Sequence, residues 1–583
     1  MGHHVVGAFF LGFCTARDDP KCTGARRMLP DAVDLVATMR PASQDLATLR
    51  QSPAIAGWLS KAGLPSSPAR QMIILVGAFL ILRVGLAAVI PLSIDEAYAV
   101  VVSRSHSLSY FDHPPLGFAL GRLMADITGC ECRLFVRLPY VVLGSLSALL
   151  LYDLTRQAYG AVAAFWAVAW YTVAPFFLIS AGHFVVPDGP LNFFLLASAW
   201  AVAPMLLGKE PGHELLRWTV AGVALGLALM CKYQAGLFCV SALLILLSTK
   251  PGRAELATPG PWVAGAIALL GLLPVALWNM NHGWISLAFQ SGRGLAAEGH
   301  LLHPGNLAIT LLGQAAYVWP ATWPIAIGCM WSAARKDASV ADRFFALIAV
   351  LPVVLFDLAA LFSAHSLPHW SMSGFLFAFP LVGQWCGRLA QRRPGLLRVS
   401  FTTAAIVVPL LAVGFAVQTT TGAFTRPFHE RATKFDINWQ LVDWSALTND
   451  ADSSDLSGSD AYVVAADWMQ GARIGHALGP NVPIDVLPGD PRHFQFMDDK
   501  RVDARSTGFL VAALNFGNEA EREKEYRDSL GGLFVPNGPA RHVIQSVAGF
   551  PIFEILILPI RRSSPSQPTL QDSATSPDNR PSP

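Results

Sequence analysis

The sequence predicts an all-α polytopic membrane protein of about 11 transmembrane helices, with a small C-terminal α/β domain outside the bilayer. Three observations carry that reading. Hydrophobic residues make up 53% of the 583 and charged ones only 14%, at a mean hydropathy of +0.43; a soluble globule needs more charge at its surface. Apolar runs of about 17 to 25 residues recur between residues 72 and 418, the length that roughly 30 Å of hydrocarbon demands of a helix. Beyond 418 the apolar runs shorten to strand length.

The long runs fall near 72–92, 138–156, 160–181, 189–207, 217–231, 234–249, 261–280, 305–332, 342–363, 371–388 and 398–418. Orientation follows from the connections. With residue 71 in the cytoplasm, the inner connections carry Arg156, Lys209 with Arg217, Lys250 with Arg253, Arg335 with Lys336 and Arg343, and Arg388 with Arg392, Arg393 and Arg398. Every one is basic. The outer side departs from the rule at Arg104, Arg122, Arg133 and Arg137 in the first long loop, at Lys232 in a helix turn, and at Arg293. Those exceptions call for an explanation.

A net charge of +2 does not point to nucleic acid, because the basic residues sit in small groups and form no stripe. Among eight cysteines only Cys130 and Cys132 lie close together. A C-x-C pair is an awkward disulfide and half a metal site at best, so it receives no role.

Residues 1–71 read as a cytoplasmic N-terminal extension, disordered or the product of a start placed too far upstream. "GAFFLGF" is too short to span, Asp18 and Asp19 follow it, and Met72 opens the first credible span. Residues 72–418 form the membrane domain. Residues 419–562 carry the β-type runs "AYVVAAD", "VPIDVL", "TGFLVAALN" and "FEILIL" between Gly, Pro and Asn signals, an α/β domain on the outer side. The tail 563–583 has too little apolar surface to offset ordering entropy and reads as disordered.

With this topology the unusual polar residues share one membrane face. Asp95, Glu96, Asp112 and His113 lie in the first outer loop, and His183 and Asp188 flank the next turn. Lys232 and Tyr233 occupy another turn, Asn279, Asn281 and His282 begin the following loop, and His365, His369 and Trp370 fill the last. Singly, each reads as a loop end or an interfacial anchor. Together they suit sugar transfer from a lipid phosphate: a phosphate leaving group needs cations, and an acceptor hydroxyl needs a carboxylate to take its proton. Proton-coupled transport would instead bury carboxylates near the midplane. There the main charges are Asp357 and Arg83, both compatible with structural roles.

The stretch "DEAYAVVVSRSHSLSYFDHPPLGF" resembles the first-loop signature of glycosyltransferase family 39 type membrane proteins, the dolichyl-phosphate-mannose protein mannosyltransferase superfamily, related to the lipid A aminoarabinose transferases. The likeness continues in order through "VPDGPLNFF", "GLALMCKYQAGLF", "WNMNHGWISLAFQSGRG" and "LPHWSMSGFLFAFP", over roughly residues 72 to 390. The resemblance implies the GT-C fold, a polyprenyl-phosphate-linked sugar donor, and inverting transfer to a lipid, glycan or protein acceptor, without nucleic acid. It places the chain in a bacterial inner membrane, with the site and the C-terminal domain facing the periplasm.

Carried over by position, Asp95 is the candidate general base and Glu96 its catalytic partner, supporting or orienting it. Capping of the following helix by S-x-D-E is the structural alternative for this pair. Asp112 and His113, aimed by two prolines, are candidates for the donor phosphate or a cation, with His113 a pH-sensitive contact where the aminoarabinose branch has Lys. Lys232 and Arg293 are the further phosphate contacts. Asp188, equally a second site carboxylate or a helix N-cap, joins Tyr233, His282, Gln290 and His369 as substrate-binding candidates. Gln290 falls where the aminoarabinose branch carries a metal-ligating His, which leaves zinc unsupported and a divalent cation open. The alternative classes are a polyprenyl-lipid or sugar transporter and a non-catalytic subunit of polysaccharide export. A protein O-mannosyltransferase would perform the same chemistry on another acceptor.

Overall fold

The structure is a computed structural model that describes residues 67–295, 302–335, 337–363, 366–433, 435–449, 455–458, 460–497, 505 and 507–563. The expected extension to residue 66 and the tail from 564 lie outside the described residues, as does His365. The chain packs as two units: Met1–His429 with Phe435–Val442, and Glu430–Lys434 with Asp443–Pro583.

The first unit is helical. Its elements are α1 (Pro68–Val89), α2 (Ile94–Val102), α3 (Leu116–Thr128), α4 (Arg133–Tyr159), α5 (Ala161–Val173), α6 (Asp188–Leu206), α7 (Glu214–Leu229), α8 (Ala235–Ser248) and α9 (Lys250–Leu256). They continue as α10 (Gly260–Leu270), α11 (Leu273–Asn281), α12 (Ile285–Leu295), α13 (Pro304–Val318), α14 (Thr322–Ala333), α15 (Val340–Phe362), α16 (Met372–Arg392) and α17 (Pro394–Thr421). Two short helices, Pro175–Leu178 and Ser180–His183, lie between α5 and α6.

Among the described residues, 6 helices are long and apolar enough to cross a membrane: α1, α4, α6, the Gly260–Asn281 stretch, α15 and α17. Counting two bent pairs raises this to 8: Ala161–Val173 with Pro175–His183, bent by 77°, and α8 with α9, bent by 101°. This is short of the 11 expected, because several apolar runs do not form one long helix. The run at 305–332 breaks where Trp319 takes a φ of 90° ahead of Pro320, leaving helices of 15 and 12 residues. A proline there removes a helix hydrogen bond, so the chain turns instead of continuing.

Helix α5 is the axis of the core. Ala163 through Val173 are all buried, packed against α1, α4 and α16. The approach to α16 is so close that a Cβ on Gly383 would collide with the Ala163 carbonyl oxygen; no larger residue fits. Both intramembrane charges are taken up internally. Arg83 is fully buried and donates to Ser145 Oγ (3.2 Å) and the Phe177 carbonyl (3.0 Å). Asp357 accepts the Gln314 amide at 2.5 Å, and Gln314 in turn accepts Trp323 Nε1 at 3.3 Å.

The second unit holds a six-stranded mixed sheet: β1 (Ala461–Ala465), β2 (Ile484–Val486), β3 (Thr507–Leu514), β4 (Phe534–Pro536), β5 (Arg541–Val547) and β6 (Phe550–Arg562). Parallel β2, β1 and β3 lie side by side, and β6 continues antiparallel to β3 and carries β4 and β5 beyond it. Helices α18 (Trp468–Leu478) and α19 (Glu519–Ser529) complete it. The four apolar runs read from the sequence supply β1, β2, β3 and β6. Tyr462, Val464, Leu510, Leu556 and Leu558 form its core, the period-2 face of three adjacent strands.

Candidate active site at the first loop

The stretch S-I-D-E builds the start of α2. Ser93 is the N-cap: its Oγ accepts the Glu96 amide (3.3 Å), and Glu96 Oε2 accepts the Ser93 amide (2.9 Å), a reciprocal capping box. Asp95 stands between them in the first turn, exposed, where the helix dipole favours a carboxylate.

Glu96 goes the other way. It is fully buried and pairs bidentately with Arg137 of α4, Nε to Oε1 and Nη2 to Oε2, both at 2.7 Å. Its Oε1 also accepts the Val185 amide at 2.9 Å. Arg137 spends its remaining donors on the carbonyls of Ala87 (2.9 Å), Ile90 (2.6 Å) and Pro91 (3.0 Å). One ion pair therefore ties the end of α1, the start of α2, α4 and the turn before α6. Each Glu96 oxygen thus accepts two hydrogen bonds, an arrangement compatible with the supporting place beside Asp95 expected of it.

The Y-F-D-H-P-P stretch forms a tight turn, closed by Tyr110 N donating to the His113 carbonyl at 3.0 Å. Asp112 is buried, and its Oδ1 accepts the Tyr98 hydroxyl (3.2 Å) from α2. His113 Nδ1 lies 3.3 Å from the same Oδ1, at ion-pair distance. The carbonyl side of the turn is held by α12. Ser286 Oγ donates to the Tyr110 carbonyl at 3.1 Å and Gln290 Nε2 to the Asp112 carbonyl at 2.5 Å. Asn279, fully buried at the end of α11, accepts the Ser286 amide through Oδ1 (3.2 Å). The Tyr233 ring reaches this cluster; burial pushes its hydroxyl pKa up, while Ser286, Ser109 and Asn279 pull against that.

Beside this cluster Asp188 begins α6 and makes a bidentate contact with Lys232 Nζ, at 2.9 and 3.1 Å. The carboxylate also lies in the electrostatic reach of His369 and His113, and the half-buried Tyr317 feels its charge. An ammonium has three N–H groups, and two go to Asp188. Asp188, Lys232, His369, His113 and Asp112 thus come together in one neighbourhood.

His282 is held differently. Its ring stacks on Trp278 at 4.1 Å, and Nδ1 faces the Trp278 carbonyl at 2.7 Å. Arg293 lies on α12, one turn beyond Gln290. Tyr98, Ser286 and Tyr317 are parts of the site that sequence reasoning missed. Each is an ordinary residue of an apolar helix until a distant loop folds onto it.

The basic exceptions of the first loop find partners here. Besides Arg137, Arg104 and Arg122 both bind Glu131, at 2.5 and 2.7 Å, and Arg122 also binds Asp126 at 2.7 Å. Burial raises the Glu131 pKa, but the two guanidiniums outweigh it and hold the carboxyl below its usual range. Arg133 donates to the Val89 carbonyl at 3.0 Å. Cys130 and Cys132, given no role from spacing alone, are joined as a disulfide on either side of Glu131.

Among the described residues no group of three or more His, Cys, Asp or Glu side chains is arranged so that it could hold a metal ion. Beside Asp112 and His113, Gln290 spends an amide N–H on the Asp112 carbonyl.

Residues 112–278 match the family described as dolichyl-phosphate-mannose-protein mannosyltransferase. The lipid A galacturonosyltransferase RgtD of Rhizobium johnstonii is 24% identical over 330 residues, 55% of this chain and 66% of its own length, just under two thirds. The crystal structure of ArnT from Cupriavidus metallidurans bound to undecaprenyl phosphate superposes with a TM-score of 0.52 at 14% identity, over 83% of this chain and 97% of that one. Its apo form gives 0.54 at 13% identity, over 87% and 98%. The chain therefore has an ArnT-like GT-C fold, and the resemblance carried by its loops, to mannosyltransferase-type GT-C glycosyltransferases related to ArnT, holds.

Proposed function

We propose that the protein is an inverting glycosyltransferase that moves a sugar from a polyprenyl phosphate to an acceptor at the periplasmic face of a bacterial inner membrane. The observations that carry this are the exposed carboxylate of Asp95 at a helix start and Lys232, which gives two of its three N–H groups to Asp188. The fold likeness to an ArnT structure holding undecaprenyl phosphate supports the donor class, and the likeness to a lipid A galacturonosyltransferase supports a membrane lipid as acceptor.

In this reading Asp95 removes the proton of the acceptor hydroxyl as its oxygen attacks the anomeric carbon from the face opposite the phosphate. The bond from that carbon to the phosphate oxygen breaks, and the polyprenyl phosphate leaves with the electron pair. The third N–H of Lys232, His113 and Arg293 hold the developing charge. Asp188 orients Lys232, and Asp112 orients His113. Tyr233, Gln290 and His369 shape the donor side, and His282, stacked on Trp278, offers an apolar face to a sugar ring.

The test is mass spectrometry of envelope glycolipids from a deletion strain, complemented with the wild-type gene or with Asp95→Asn. The deletion and the Asp95→Asn strain both lack one sugar that the wild type restores. A normal glycolipid profile with Asp95→Asn at wild-type protein level removes Asp95 as the base. Loss of general-base assistance lowers turnover by about 10²–10⁴-fold.

A further inference from the structure

The segment after the last span carries a feature that the catalytic reading leaves untouched. Helix α17 ends at Thr421, and Gly422 turns the chain in the left-handed conformation, φ 67°. Gln418 fixes the reversal: its Oε1 accepts the Phe424 amide at 2.8 Å, and its Nε2 donates to Thr425 Oγ1 at 2.8 Å. The Phe424 ring then folds back along α17, so that a Cβ on Gly414 would meet it at 3.7 Å. Seven residues of helix separate Gly414 from Thr421, a depth of roughly 10 Å.

The face it covers is the outward one. Ile406, Leu410, Val413 and Val417, spaced four, three and four apart, are 54%, 65%, 46% and 39% exposed, a stripe that a spanning helix turns to lipid. Phe424 prolongs that stripe with 60% of its own surface exposed, and Phe428, one turn further, is 79% exposed. Arg426 and His429 stand exposed beside them, as basic residues do when they snorkel to lipid headgroups. Water is a poor neighbour for two phenyl rings that stay 60% and 79% exposed.

We infer that residues 423–429 form an interfacial seat: the rings of Phe424 and Phe428 lie in the headgroup and upper acyl zone of the leaflet at the C-terminal end of α17. The occupant of this surface is the bilayer itself, since the aromatic face is continuous with the lipid-facing stripe of a span. The boundary between the two packing units follows at once, with Glu430. The chain therefore leaves the membrane unit from a lipid-anchored point.

The experiment replaces Phe428 by the photocrosslinker p-benzoylphenylalanine in the full chain. The protein is reconstituted into nanodiscs of phosphatidylethanolamine and phosphatidylglycerol, irradiated, and mapped by peptide mass spectrometry. Leu410 serves as the lipid-facing control and Ile544, exposed on β5 of the second unit, as the water-facing one. Phospholipid adducts at 428 within about threefold of those at 410, and at least tenfold above 544, support the seat. An adduct yield at 428 no higher than at 544 overturns it, and so does crosslinking at 428 to a second copy of the chain. The readout needs no glycosyl transfer, so its failure and that of the proposed activity are told apart.

Discussion

At the residue scale, the first loop separates two neighbouring carboxylates by burial. Asp95 is exposed and Glu96 wholly enclosed, so the same amide change has opposite consequences at the two positions. Glu96→Gln leaves the Arg137 guanidinium buried without its counter-charge and costs about 3–5 kcal/mol. In detergent this shows as a large fall in thermal midpoint, whereas Asp95→Asn melts like the wild type. Equal melting of the two variants would falsify the clamp.

Lys232 and Asp188 obey the same logic with a functional difference. Lys232→Met strands a buried carboxylate and lowers stability, and adding Asp188→Asn recovers much of it. Neither variant recovers the ligand: undecaprenyl phosphate, added to nanodiscs as the probe, raises the wild-type melting point and leaves the double variant unmoved. A double variant that still responds fully to the lipid would separate Lys232 from phosphate binding.

Glu131 supplies a pH dependence. Its folded pKa lies below the ordinary value of 4.5, so its stabilisation is fully present above that value. It is lost as pH falls through the lowered folded pKa. Thermal melts between about pH 6 and 3 should show a steeper acid decline for the wild type than for Glu131→Gln. Parallel declines would show that Arg104 and Arg122 gain nothing from this carboxylate.

At the element scale, α12 acts as a latch on the Asp112 turn. Its two side-chain donors meet the carbonyls of Tyr110 and Asp112, and Asn279 caps its start. Gln290→Ala combined with Ser286→Ala should raise hydrogen–deuterium exchange at the amides of residues 110–113 by about tenfold, as one to two neutral hydrogen bonds of about 1 kcal/mol each are lost. Exchange over Ile94–Val102 stays as in the wild type, because α2 is held by its own cap and Arg137. An unchanged 110–113 segment would mean that the turn needs no support from α12.

Elements also mark where sequence reading succeeds. A Ser two residues before Asp-Glu predicts the α2 start, since capping is local chemistry written in four consecutive residues. The partner of Glu96 lies 41 residues away, on a helix that reads as an ordinary span. No local signal marks it beyond one arginine on the side that should avoid positive charge. The break at Trp319 does have a local mark in Pro320, but the apolar run continues through it and hydropathy alone reads one span.

At the scale of the whole molecule, the sequence by itself determined the class. Apolar runs of bilayer length, basic inner connections and strand-length runs after residue 418 follow from hydrophobic transfer and the positive-inside bias, which act on composition and need no fold. It also raised the expectation that the unusual polar residues share one membrane face. Only the tertiary structure decided what each of them touches. Burial and the geometry of distant partners divide Asp95 from Glu96, give Lys232 to Asp188, and set Gln290 as a donor to the Asp112 carbonyl. Charge, hydrogen bonding and desolvation act over a few ångströms between residues far apart in the chain, and those distances exist only once the helices have packed.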